Sequence, residues 1–345
     1  TPAMNPIVID HLLYVDPGVT LRVEPGVVVK FVGQESGIDV LGSLVAEGLP
    51  DNRVVFTSIK DDSYLGDTFL DGATAGAPGD WSALGFANGM DSGTVSMRCC
   101  DILYGGFQFA SLISGPAEGE PDGERLIEGC TVRFSAAAGA ILAGERDIMR
   151  SSLVSENAGT GVAFGKSSDV EGCTIEKNGG DGLAPSFFEG LQVRTPRLVG
   201  NVVRGNAGAA VNAGMYTDVA AITENRGSGN GVNGILLAGI PRDITLHGAN
   251  LGQPGEELPF VFRSENPMEA AEGAVLTLAA GTVVKVECPL IKVHHLVSIG
   301  REEAPSVVTS LNDDTIGGDT LSDGPSQGTP GDWGGLSVEN GELSL

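Results

Sequence analysis

The stretch GCTIEKNGGDGLAP, residues 172–185, decides the fold because four other segments repeat its plan. GCTVRFSAAAGAIL (129–142), SSLVSENAGTGVAF (151–164), GNVVRGNAGAAVNA (200–213) and ENRGSGNGVNGILL (224–237) share one template. A small or polar marker leads to an apolar pair two apart, an Asn, a Gly and a second apolar strand. The markers fall at Cys130, Ser152, Cys173, Asn201 and Asn225, giving steps of 22, 21, 28 and 24 residues. Such a unit, with short strands and a glycine turn but no helix, cannot bury its apolar face alone and must stack on its neighbours. The pattern predicts an all-β chain wound as a parallel β-helix of about a dozen coils, each strand pairing one rung away at about 4.8 Å. No leucine-rich skeleton is present, and propeller blades would be longer.

Stacking assigns structural roles to several tempting residues. Asn157, Asn178, Asn206 and Asn230 recur just before a Gly-containing turn. There they are expected to take the left-handed conformation and hydrogen-bond their stacked copies. Cys130 and Cys173 lie two rungs apart, about 9 to 10 Å, too far for a disulfide, and are expected as buried thiols. Cys100 is the only geometric partner for Cys130. Cys99 and Cys100, adjacent in an expected strand, should point to opposite faces, as should His294 and His295. Five cysteines without a C-x-x-C pair indicate neither a zinc site nor a disulfide framework.

A longer duplication frames these rungs. DDSYLGDTFLDGATAGAPGDW (61–81) returns as DDTIGGDTLSDGPSQGTPGDW (313–333) with 12 of 21 positions identical, including five aspartates and a tryptophan. Upstream, VTLRVEPGVVVKF (19–31) matches AVLTLAAGTVVKV (274–286), and SLVAEG (43–48) matches HLVSIG (295–300). One β-helix over 1–345 is expected, with a first superunit at about 5–255 and the start of a second at about 256–345. We expect the natural polypeptide to continue or a partner to cover the last rung end to end, because an open rung leaves a bare strand edge.

These motifs resemble the right-handed parallel β-helix repeat proteins of bacterial surfaces and secretomes. The likeness is close over 19–86 and 274–338 and looser over the rungs. It implies a right-handed fold and an extracellular or cell-surface location. It implies little about activity, since that scaffold hosts adhesins, carbohydrate-active enzymes and structural proteins alike.

The aspartate loops are the candidate functional sites. Asp61, Asp62, Asp67, Asp71 and Asp80, with their counterparts Asp313, Asp314, Asp319, Asp323 and Asp332, supply the oxygens calcium prefers. GDTFLDG places acids at relative positions 1 and 5 and Gly at 6, but Phe69 and Leu321 occupy position 3, so an EF-hand-like loop is not supported. The competing reading has these aspartates cap turns. Trp81 and Trp333 are expected to anchor the loops onto the coils.

The net charge of −25 repels nucleic acid and acidic polymers. The opening TPAMNPIVID reads as a mature or trimmed start, and no apolar run reaches the roughly 18 residues of a membrane span. The expected function is a structural or adhesive surface module without catalytic activity, calcium as its ion and a glycan or another cell-surface protein as partner. The alternative is a polysaccharide lyase or hydrolase. Its candidate bases Arg125, Arg146, Lys166, Arg194 and Arg204 are scattered over different rungs, and the ERD segment at 145–147 reads as a turn.

Overall fold

The computed structural model describes residues 5–86, 93–115, 123–144, 147–187, 193–338 and 343–344. These form 36 short strands and no α-helix, three strands to a turn. Every pairing between named strands is parallel in the registers defined, and successive pairings advance by one turn. The chain divides into two compact units, Thr1–Gly180 with Ser186–Gly190, and Asp181–Pro185 with Leu191–Leu345.

In the first unit three sheets build up rung by rung. The first-strand sheet runs in register through Ile7, Val29, Phe56, Ile102, Val132, Val154 and Ile175. From Val29 onward this column is buried. The second-strand sheet stacks Leu13, Ile38, Leu84, Leu112, Ala140 and Val162. The third stacks Val23, Ala46, Met97, Ile127, Met149 and Val170. Alternation along each strand turns one set of side chains inward, so like positions pile into an apolar column.

The corners follow one rule. Gly129, Ser151, Gly172, Gly200 and Glu224 have positive φ, and each immediately precedes a marker, as Cys99, also at positive φ, precedes Cys100 one rung before Cys130. Glu156, Lys177, Gly205 and Gly229, also at positive φ, immediately precede the ladder asparagines. The left-handed residue is therefore one position earlier than the sequence suggested. It turns the chain between faces with its side chain away from the core, which frees the Asn amide to point along the stack. Asn157 Nδ2 donates to Asn178 Oδ1 at 2.9 Å, and Asn206 Nδ2 to Asn230 Oδ1 at 2.9 Å. All four are buried. Markers Asn201 and Asn225 form a further ladder with Asn250, the equivalent position one rung on, at 2.9 and 3.3 Å.

The same rule corrects two smaller expectations. Cys99 and His294 sit at bends before strands Cys100–Leu103 and His295–Ser298, not inside them. All five cysteines are free thiols, and Cys130 and Cys173 are buried as expected. Glu145 and Arg146 lie outside the described residues, while Asp147 opens strand Asp147–Arg150 instead of lying in a turn.

The duplicated strands do not land on the same sheet. In the first unit Val28–Phe31 and Val54–Ser58 pair onward to Cys100–Leu103, the first strand of a rung. In the second unit Val283–Glu287, the counterpart of Val28–Phe31, stacks through Phe260–Arg263 on Val232–Leu237, the second strand of a rung. The cause lies in residues 251–259, LGQPGEELP. These follow marker Asn250 where a first strand is due, yet form none. Pro254 and Pro259 lack the N–H that a ladder needs.

Candidate functional site

Each aspartate loop leaves the coils after a strand ending in Thr-Ser, Val54–Ser58 or Val307–Ser310, and returns at Leu84–Phe86 or Leu336–Val338. The base of both loops is closed identically. Thr57 Oγ1 donates to Asp61 at 2.6 Å, and Thr309 Oγ1 to Asp313 at 2.6 Å. Ser58 Oγ donates to Asp80 at 2.7 Å, and Ser310 Oγ to Asp332 at 2.7 Å. Asp62 accepts from the Thr74 amide at 2.6 Å, and Asp314 from the Ser326 amide at 2.8 Å. Asp67 accepts from the Gly72 amide at 2.9 Å, and Asp319 from the Gly324 amide at 3.1 Å. Eight of the ten aspartates thus close turns, the competing reading of the sequence.

Their acidities follow these bonds. The Gly72 amide, followed by other loop donors, holds Asp67 below its ordinary value. The Thr309 and Thr315 hydroxyls lower Asp313. The Thr329 hydroxyl, then its amide and Ser310, bring Asp332 to about 2. Burial pushes Asp80 upward, but Lys60, the Ala77 amide and Ser58 together outweigh it and the net shift is down.

Two lysines missed by sequence reasoning pin the loops. Lys30 and Lys285 point outward from their strands, since Val29, Phe31, Val284 and Val286 point inward. Neither lysine has exposed surface, because a loop lies over each. Lys30 Nζ donates to the Gly66 carbonyl at 2.9 Å and Lys285 Nζ to the Gly318 carbonyl at 2.5 Å. Lys285 Nζ also lies 3.6 Å from Asp314 Oδ1. Burial lowers the Lys285 pKa, and the neighbouring Asp314, Asp313 and Asp319 oppose that shift. A lysine inside the apolar runs VVVKF and TVVKV, repeated in both copies, is the signal that could have found them.

The loops part company at their tips. Asp314, Asp319 and Asp323 bring carboxylate oxygens within 4.8 Å of one another. Asp319 Oδ1 is shielded from solvent and has no hydrogen-bond partner. Three clustered carboxylates, one with an unused oxygen, fit a hard divalent cation; the Lys285 ammonium shares Asp314 with it. Among the described residues, the counterparts Asp62, Asp67 and Asp71 do not form such a group. Asp62 Oδ1 alone there is shielded and unpaired.

The tryptophans differ as well. Trp81 is fully buried, stacks on Phe31 with ring centroids 4.2 Å apart, and donates from Nε1 to the Leu103 carbonyl at 2.7 Å. Trp333 is only half-buried and lines a cleft of about 690 Å³ with Arg263, Glu265, Glu287, Cys288 and Pro289. The residue equivalent to Phe31 is Val286, so Trp333 lacks the ring that seats Trp81. Trp81 is the sealed anchor expected from the sequence.

Residues 117–250 match the model of the family described as right handed beta helix region. The fold is a right-handed parallel β-helix. No curated protein and no solved structure matches the chain significantly. On this β-helix, Arg125 is buried against Asp147 at 3.3 Å, with Ser114 between them at 3.0 and 2.9 Å, which leaves it unsuited to act as a base. Among the described residues no helix is long and apolar enough to cross a membrane.

Proposed function

We propose that this β-helix is a non-catalytic structural or adhesive module of an exported protein, and that calcium orders its second aspartate loop. The observation that supports this most directly is the convergence of Asp314, Asp319 and Asp323, with the unused Asp319 Oδ1 among them. Asp314 and Asp319 also close loop turns, so an ion bound there would tie the loop tip to its base.

The test is thermal unfolding with calcium and with excess chelator. Calcium at 100 times its dissociation constant, bound only to the folded chain, adds about 2.7 kcal/mol. The shift is expected to vanish in Asp319→Asn/Asp323→Asn and to persist in Asp67→Asn/Asp71→Asn. An unshifted wild-type midpoint sinks the calcium reading, and turnover of a uronate polymer followed by ultraviolet absorbance sinks the non-catalytic one.

A further inference from the structure

The marker column of the first unit places two cysteines on consecutive rungs. Asp101 lies opposite Thr131, so Cys100 stands directly before Cys130 in the stack. Adjacent rungs are about 4.8 Å apart, inside the roughly 4.4 to 6.8 Å that a disulfide spans between Cα atoms. Cys173 lies two rungs beyond Cys130, with Ser152 between them, and is out of reach.

Marker side chains in this column reach back toward the rung before. Ser152 Oγ accepts the Cys130 amide at 3.1 Å and donates to the Arg150 carbonyl at 2.8 Å, and Asn225 Oδ1 accepts the Asn201 amide at 3.0 Å. Cys130 follows the same rule. Its Sγ lies 3.4 Å from the Glu128 carbonyl and 3.6 Å from the Met97 carbonyl, and the Cys100 amide bonds back to it. Cys100 Sγ lies 3.1 Å from the Ala46 carbonyl, so a rotation about its Cα–Cβ bond turns it toward Cys130. From outside, the Arg53 guanidinium holds the corner closed, donating to the Cys100 carbonyl at 2.9 Å and the Gly129 carbonyl at 3.0 Å.

We propose that Cys100 and Cys130 are a disulfide-forming pair, a covalent staple between two rungs that closes when a small-molecule disulfide is present. The Cys100 thiol lowers the pKa of Cys130, and Cys130, followed by burial, raises that of Cys100, so Cys130 is the first to attack. Its thiolate takes one sulfur of oxidised glutathione and releases the first glutathione thiolate. Cys100 then displaces the second from the mixed disulfide. The two cysteine protons end on the two glutathione thiols, and two electrons pass with them. Both sulfurs are buried, so the exchange takes place while these rungs assemble. The staple rests on neither calcium nor an exported location, because the oxidant is supplied in the test.

The full chain is refolded from denaturant with oxidised and reduced glutathione, alkylated in denaturant, and mapped by peptide mass spectrometry. Two of the five thiols should escape alkylation, with the mass lower by two hydrogens, and dithiothreitol should restore both. Cys99 shares a tryptic fragment with Cys100, so single variants identify the partner. Ser151 and Ser152 fill the same two template positions one rung beyond Cys130, so Cys99→Ser and Cys100→Ser should both fold normally. The bond should survive in Cys99→Ser and Cys173→Ser and be lost in Cys100→Ser and Cys130→Ser. Five alkylated thiols after oxidative refolding overturn the proposal. So does a bond that persists in Cys100→Ser, or a glutathione adduct on Cys130 that never resolves.

Discussion

The two aspartate loops share a sequence plan, closed bases and buried lysines, yet they complete themselves differently. The tip of the second loop lies on the coils beneath it. Asn233 N donates to the Thr320 carbonyl at 2.7 Å and Ser322 Oγ to the Asn230 carbonyl at 2.9 Å. Leu321 packs against a cluster of Ala209, Val232, Val261 and Leu311. The equivalent residues of the first loop point to water, with Phe69 55% and Leu70 88% exposed. At the other end the order reverses: Trp81 is sealed under a following coil, and Trp333 borders a cleft. A repeated sequence therefore repeats the interactions within one loop, while those that reach neighbouring coils depend on which coils are there.

The largest test of this contrast is at the tryptophans. Trp81→Ala should cost about 3 to 5 kcal/mol in denaturant unfolding, as removing a fully enclosed ring does. Trp333→Ala should cost about 1 kcal/mol or less. Equal losses would mean that Trp333 is as well packed as Trp81.

Next in size are the lysines. Lys285→Met strands the carboxylate of Asp314 and should cost about 3 kcal/mol when measured in chelator. Lys30→Met removes one hydrogen bond to a carbonyl and should cost about 1 kcal/mol. Calcium should restore part of the Lys285→Met loss by taking the ammonium's place beside Asp314, and none of the Lys30→Met loss.

Smaller still is the pair at the tips. Leu321→Ala should destabilise by about 1 kcal/mol, and Phe69→Ala by no more than about 0.5 kcal/mol, because only the former loses buried contacts. Hydrogen exchange should show the amide of Asn233 protected through its bond to the second loop, and less protected in the Leu321 variant.

The smallest effect is in acid. The folded value of Asp332, about 2, lies below its ordinary 3.8, so the unfolded chain takes up the proton first. That contribution is present above the ordinary value and is lost as pH falls toward 2. The unfolding midpoint of Asp332→Asn should therefore fall less steeply below pH 4 than that of the wild type.

Much of the fold could be read from sequence because stacked repeats need only local regularity. Apolar pairs at fixed template positions and an Asn before each Gly turn require neighbouring rungs to coincide, whatever lies farther away. The ladder and the buried thiols follow from that spacing. The candidate site was less legible. An Asp that caps a turn and an Asp that could hold an ion look the same in a polar loop, so the string could not separate Asp67 from Asp319. The left-handed corner residue was misplaced by one because Glu156 and Lys177, not the asparagines, bear the strained conformation.

The sequence by itself determined that this chain is all-β, that its rungs stack in parallel, and that two like loops follow strands of like sequence. These follow from short-range rules of alternation, turn chemistry and repeat length. Only the tertiary structure decided which sheet each duplicated strand would join and which three of ten carboxylates would meet. Each of those outcomes turns on the coil above or below, and a local repeat carries no information about its neighbours' identity.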